Sequence, residues 1–453
     1  MMNQPILQNL ISREKEWELT WGKFEADETL RVDEARVEKV AEEFAERMQE
    51  NYPFFHPRYA GQMLKPPHPI SLMAYQIAMT INPNNHALDG GPATARMEIE
   101  AVDLLAHMFG YKEHLGHLTS SGTIGNLEAL WVARSLHPSK GIAFSSSSHY
   151  THKRMCEVIC AESIEVPTDN LGRMDCGALE EVLKTGKVGT VVATIGTTSI
   201  GAVDLLQEII PLCRKYHVRV HADAAYGGFF ALLARQPAPI IDAEPFLHLS
   251  ECDSIVVDPH KHGLQPYGCG CVMFRDPSVG KFYKHNSPYT YFTSKELHLG
   301  EISLECSRPG AAAAALWFTL KCLPLEPNAG LGAILTKTRK AALDFSRLIG
   351  KSVRFHEFVK PELDIVTYFP RTEPLSSSLI SNKTQKLFTD SMHHPTHPLF
   401  LALLQVPSTQ LKNFYPGIDC DRERAAILRS VLMKPEHLAF VPEMVRELEE
   451  IAG

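Results

Sequence analysis

At 453 residues the chain is too long for one ordinary domain, which predicts two or three units around a large core. Its 44% apolar and 22% charged residues are those of a soluble globular protein, and a formal charge of −8 argues against nucleic-acid binding. No apolar run reaches the roughly 18 residues of a membrane-spanning helix, and Met1-Met2-Asn3-Gln4-Pro5 lacks the basic-then-apolar pattern of a secretion signal.

In chain order, Asp33 to Asn51 reads as an amphipathic helix behind an Asp cap, with Val37, Val40, Ala41, Phe44 and Met48 at helical spacing. It belongs to an N-terminal arm, residues 1–60, too small to bury a good core alone and expected to pack elsewhere on the molecule or on a second copy. The segment Phe54 to Gly61 is turn-like and aromatic, and a helix from about Thr94 should stop near Gly110. From Leu118 to Phe274, apolar strand candidates at 142–145, 163–166, 190–195, 218–222, 254–257 and 269–274 alternate with helical segments at 124–135, 151–160, 178–183 and 205–216. That alternation predicts βαβ units and a mainly parallel sheet in a large domain, residues 61–310. Lys284 to Ser307 is a long polar and aromatic loop, and a helical run begins at Ala311. Helices at 331–348 and 443–451 with strands at 353–358 and 364–369 predict a smaller C-terminal α+β domain, residues 311–453. Ten cysteines lack framework spacing, and Cys269 and Cys271 sit too close together for a metal grip, so reduced thiols in a cytoplasmic protein are expected. The His393/His394/His397 cluster reads as a solvated loop rather than a metal site, since no carboxylate or cysteine stands at ligand spacing.

Chemistry concentrates at two strand ends. Ser254-Ile255-Val256-Val257 leads into Asp258-Pro259-His260-Lys261, and Val218-Arg219-Val220 leads into His221-Ala222-Asp223. In an open α/β sheet, ligands bind at the carboxyl ends of strands. A lysine and an aspartate delivered there by neighbouring strands fit pyridoxal phosphate, whose aldehyde takes a lysine and whose ring nitrogen takes an acid. Taken singly, Lys261 can snorkel to solvent and Asp223 can cap the turn before Gly227-Gly228; the pair favours the Schiff-base reading. Ala224 and Ala225 suit a backbone pressed against a flat ring, and Asp204 is an orienting residue or a helix cap. Thr119-Ser120-Ser121-Gly122-Thr123, just before a helix, is the expected phosphate site, with Asn126 beside it or facing the next turn. His149 falls at another strand end; a lone histidine is more often a structural donor, but here it would stack on the cofactor ring and assist proton movement. His149 and His152 imitate a metal pair without the glutamate a zinc helix needs, and no metal is expected.

At these residues the chain resembles the group II pyridoxal-phosphate-dependent amino-acid decarboxylases, the family of glutamate, aromatic amino-acid and archaeal tyrosine/aspartate decarboxylases. The likeness runs through Thr119–Asn126, Ser148-His149-Tyr150, Gly196-Thr197-Thr198 with Asp204, His221–Gly228, Asp258–Lys261, Leu304–Ala311 and Pro361–Val366. It implies the fold type I (aspartate-aminotransferase-like) α/β architecture and a homodimer with active sites at the subunit interface. It implies the Schiff base for Lys261, the ring-nitrogen contact for Asp223 and ring stacking for His149. Gly122 and Thr123 would hold the phosphate, with Thr198, Ala225 and His260 nearby, and Ser307 and Arg308 would reach the neighbouring site. A partner loop carrying Tyr289 or Tyr291 would return a proton to Cα. The substrate is open between two classes. His56, Tyr59 and the other aromatics of 54–59 suit a tyrosine-like side chain, whereas Arg58, Lys65 or Arg308 suit the distal carboxylate of glutamate or aspartate; the aromatic class is favoured. An aldehyde lyase or aminotransferase on the same fold, and more remotely a non-catalytic dimeric scaffold, are the alternatives.

Overall fold

The computed structural model describes residues 4–284, 299 and 302–453. Tyr289 and Tyr291 lie outside the described residues. Eleven strands form two sheets among these residues: β1 Leu115–Thr119, β2 Gly141–Ser145, β3 Ser163–Val166, β4 Val188–Thr194, β5 Arg219–Asp223, β6 Ser254–Val257, β7 Gly270–Phe274, β8 Phe355–Val359, β9 Ile365–Pro370, β10 Ala402–Pro407 and β11 Arg424–Val431.

The larger sheet has the order β1-β7-β6-β5-β4-β2-β3. β3, β2, β4, β5 and β6 pair in parallel, and β7 runs antiparallel to both β6 and β1. Every residue of β4, β6 and β7 is buried, as expected where helices cover both faces of a parallel sheet. The core of this layer joins Leu105 and Phe109 of the helix Pro92–Phe109 to Val191, Ala222, Ile255 and Val257 of the strands and to Phe229 and Phe230 beyond β5. That helix ends where expected, at Gly110, which takes φ 86°, a left-handed conformation that favours glycine. The helix Gly310–Cys322 packs on Pro69–Ile81 and Pro92–Phe109 and so sits with the larger layer, although its sequence position is the expected start of the C-terminal unit. β1 and the helix Pro69–Ile81 carry little periodicity and escape a sequence reading.

The smaller sheet is antiparallel, in the order β10-β11-β9-β8. It buries Phe345, Phe355, Tyr368, Leu428 and Val441 against the helices Gly330–Lys351 and His437–Ile451. The aromatic segment before residue 61 joins this layer: Tyr59 bridges to Phe400, and Val431 donates its N–H to the carbonyl of Ala60.

The arm is the exception. Its helices Gln4–Leu19 and Glu34–Gln49 bury no residue, although Asp33 caps the second by accepting from the Arg36 N–H at 2.8 Å. The apolar stripe Val37, Val40, Phe44 and Met48 is 51–64% exposed. Trp17, Trp21 and Phe24 are exposed as well.

Candidate active site

Four parallel strands end on one side of the larger sheet and surround a cavity of about 180 Å³. β5 delivers Asp223, β6 leads to Asp258, His260 and Lys261, β2 leads to His149, and β4 leads to Gly196 and Thr198. The fifth wall is the start of the helix Gly122–Leu136, where the Ser121 side chain caps the Ile124 N–H and leaves Gly122 and Thr123 facing the cavity. A Cβ on Gly122 would stand 2.7 Å from both carboxylate oxygens of Asp258, so only glycine admits this approach of helix to strand end.

Asp223 is 5% exposed. Its Oδ2 accepts from His152 Nε2 at 2.8 Å and its Oδ1 from the Ala225 N–H at 3.2 Å. Burial opposes its charge, but the hydrogen bond from His152 and the nearby positive charges, Lys261 included, overcome that cost and hold its carboxyl well below the usual range. Lys261 Nζ stands 3.0 Å from Asp258 Oδ2, and Asp258 Oδ1 is buried without a hydrogen-bond partner among the described residues. His260 Nδ1 donates to the Cys269 carbonyl at 2.8 Å and its Nε2 lies 3.5 Å from Asp258. His221 donates through Nε2 to Asn126 Oδ1 at 2.8 Å, and burial pushes its pKa down to about 3. His149, half-buried, bonds through Nδ1 to Thr151 Oγ1 at 2.7 Å, and burial lowers its pKa as well.

Behind the cavity, His262 and Tyr226 converge on Asp364, the residue just before β9. His262 Nε2 lies 2.8 Å from Asp364 Oδ2, and the Tyr226 hydroxyl donates to Oδ1 at 2.5 Å. All three are buried, so the smaller sheet is tied directly to the chain segment carrying Lys261.

Gly122, Thr123, His149, Thr198, Asp223, Ala225, His260 and Lys261 therefore stand around one cavity. The other expected site residues do not line it. Asp204 is fully buried and accepts the Met174 and Thr194 N–H groups, each at 2.7 Å, fixing the turn after β4; it is not the cap of the helix Leu206–Lys215. Burial pushes its pKa up to about 7. Ser307 is exposed and bonds Asn84. Arg308 is buried on Glu98 and the Leu118 carbonyl. Tyr59 packs among Tyr52, Phe54 and Phe400, and exposed His56 accepts from the Arg58 N–H. Arg58 pairs with Glu447 at 2.7 Å, and Lys65 donates to the Met433 carbonyl. Within one chain, Tyr59 and Arg308 are engaged by neighbours of the same chain, and exposed His56 does not reach the cavity.

Two residues to which the sequence reading gave no cofactor or substrate role bear on the site. His152 holds Asp223, and only its spacing of one helical turn from His149 could have hinted at it. Arg429, on β11, lines a second cavity of about 870 Å³ that shares His149 and Thr198 with the first. Its Nε and Nη2 are buried without a hydrogen-bond partner among the described residues. Nothing in the local pattern of β11 marked it.

The chain's own groups fit pyridoxal 5'-phosphate. An amine reaches the cavity beside a buried ionised carboxylate, a helix N-terminus opens onto it through glycine and threonine, and an imidazole flanks the open side. Comparison with known proteins agrees. Residues 24–369 match the model of the pyridoxal-dependent decarboxylase conserved domain. The L-tyrosine decarboxylase of Enterococcus faecium is 27% identical over 78% of this chain and 76% of that protein. A probable L-tyrosine/L-aspartate decarboxylase of Methanothermobacter thermautotrophicus is 28% identical over 69% of this chain and 82% of that one. Among solved structures, mouse CSAD in apo form superposes with a TM-score of 0.78 at 20% identity, covering 97% of this chain and 92% of that one. The Oryza sativa TDC with PLP and tryptamine gives a TM-score of 0.78 at 16% identity, covering 94% and 89%. From the site's donor set and the match over most of its length, the chain belongs to the pyridoxal-dependent decarboxylase family, with pyridoxal 5'-phosphate as its cofactor.

Proposed function

We propose that the protein removes the α-carboxylate of an aromatic L-amino acid of the tyrosine type, releasing carbon dioxide and the amine. The observation that carries the chemistry is the pairing of Lys261 with buried Asp223 across one cavity at the strand ends. Support for the substrate comes from the relatives called tyrosine decarboxylases and from the roomy second cavity, where Phe358, Leu403 and Leu404 offer apolar wall and Arg429 offers unmet N–H groups. Those groups suit a phenol oxygen; the distal carboxylate of an acidic substrate is the competing occupant. Measuring amine and carbon dioxide from L-tyrosine, L-phenylalanine, L-tryptophan, L-aspartate and L-glutamate tests the proposal, and turnover confined to the acidic pair overturns it.

Bound in the first cavity, the cofactor supplies a ring that accepts the electron pair left on Cα when carbon dioxide departs. Lys261 binds it through Nζ and exchanges protons at that nitrogen. Asp223 keeps a proton on the ring nitrogen, because an ionised buried carboxylate favours a cation beside it. Gly122 and Thr123 would offer helix N-terminal N–H groups to the phosphate, with Thr198 and His260 lining the same cavity. His149, on the cavity wall, would stack on the cofactor ring and orient the carboxylate to be lost. Tyr289 or Tyr291 returns a proton to Cα.

We further propose a homodimer in the cytoplasm. The arm's two unburied helices and an apolar groove of about 360 Å³ lined by Leu10, Ile77, Ile81, Trp317 and Phe318 support a second copy as the missing partner. All ten cysteines are unpaired, which supports a reducing compartment, and no helix among the described residues is long and apolar enough to cross a membrane. Mixing inactive Lys261→Ala protomers with protomers lacking the loop tyrosine tests the shared site: partial recovery of activity is expected, and none would mean each chain works alone.

A further inference from the structure

His152 lies on the helix Thr151–Val158 with none of its surface exposed, and Phe144 packs beside its ring at 6.0 Å between centroids. Its Nε2 stands 2.8 Å from Asp223 Oδ2, while its Nδ1 is buried with no hydrogen-bond partner among the described residues. An ionised carboxylate only accepts, so the proton sits on Nε2. The ring therefore steadies Asp223 through a hydrogen bond from Nε2.

The other groups around this carboxylate are engaged by partners of their own or donate only weakly to it. His221 is engaged by Asn126 and Ser254, and burial pushes its pKa down to about 3. Lys261, the cation in the cavity, is drawn to Asp258 at 3.0 Å. The Ala225 N–H reaches Asp223 Oδ1 at 3.2 Å. A buried carboxylate held in place by hydrogen bonds, with the nearby lysine drawn to another acid, keeps its attraction for a cation that arrives later.

We propose that His152 is a positioning residue that aims Asp223 at the ring nitrogen of the cofactor and leaves that carboxylate's charge free to hold the ring proton. This rests on the cofactor reading of Lys261 and Asp223, and it extends that reading to a side chain outside the cavity wall. His152 does not touch the cofactor; it acts through Asp223.

The test compares two cofactors on the cofactor-free protein: pyridoxal phosphate, and its 1-deaza analogue in which a carbon replaces the ring nitrogen. Binding is followed by the visible band and by calorimetry. His152→Leu should weaken pyridoxal phosphate by about tenfold or more, the size of one hydrogen bond to a charged group. Wild type and His152→Leu should bind the deaza analogue within about twofold of each other, since it lacks the atom Asp223 serves. His152→Gln, which keeps an N–H donor at similar reach, should recover most of the lost affinity. Equal weakening of both cofactors would reduce His152 to packing, and unchanged pyridoxal phosphate affinity would remove it from the site. If His152→Leu does not fold, His152→Phe, which fills the space beside Phe144, is subject to the same comparison. A wild-type protein that binds neither cofactor would instead overturn the cofactor reading itself.

Discussion

Arg429 is 4% exposed, and burial lowers its pKa against the pull of Tyr226, Asp364 and Tyr59. Its Nη1 reaches Gln62 Oε1 at 3.3 Å and the Gly61 carbonyl at 3.5 Å, both long for such bonds, and Nε and Nη2 have no partner among the described residues. A buried cation with unmet donors costs stability, so an apolar residue of similar length should leave the fold as stable or more so. Asp364 keeps His262 and Tyr226 as its own partners, which limits collateral damage. If the unmet donors wait for the phenol oxygen of the substrate, Arg429→Met should lower kcat/KM for L-tyrosine by about 10–100-fold, the equivalent of one hydrogen bond to a charged group at about 1.5–3 kcal/mol. L-Phenylalanine lacks that oxygen and should change by less than about threefold. Steady-state kinetics on both amino acids, with urea unfolding of the two proteins, decides the matter. An equal loss on both substrates together with a lowered unfolding midpoint would make Arg429 a structural residue and refute the reasoning.

Lys261→Ala should abolish both the visible band of protein-bound cofactor and amine release; retained turnover would refute its assignment. Asp364→Ala strips the partner from buried His262 and Tyr226 and should cost about 3–5 kcal/mol in urea unfolding, whereas Asp364→Asn, which can still bond both, should cost clearly less. His437 is fully buried, with Nε2 donating to the Pro57 carbonyl at 3.0 Å, and burial moves its pKa from 6.5 to about 3. The unfolded chain takes up this proton below pH 6.5 while the folded chain does not, so stability present above that pH is lost as pH falls toward 3. His437→Gln should therefore flatten the stability profile between pH 6.5 and 4.5 by up to about 1.4 kcal/mol per pH unit, and an unchanged slope would place the proton uptake elsewhere.

Local signals in the chain carried the candidate site. Lys261 and Asp223 follow short apolar runs that can only be buried strands, and strand ends in a parallel sheet face one ligand site; the structure sets both on one cavity. The Asp33 cap and the Gly110 stop were visible for the same reason, since capping depends on residues within one turn. Segment 52–65 shows where local signals end. Its aromatics and charges look like a substrate lining, yet they are spent on Phe400, Glu447 and Met433, residues brought close only by the C-terminal layer. Arg308 is a second case, since its partner Glu98 lies far away in sequence.

The order of residues by itself determined where strands end, which helix start is open to a phosphate, and which lysine and aspartate can meet a cofactor, because periodicity and capping are short-range effects. Folding in three dimensions decided what each of those groups has for company. His152 under Asp223, the Asp364 tie to the Lys261 segment and the unmet donors of Arg429 are partnerships between distant stretches, and burial in a shared low-dielectric interior gives them their energy.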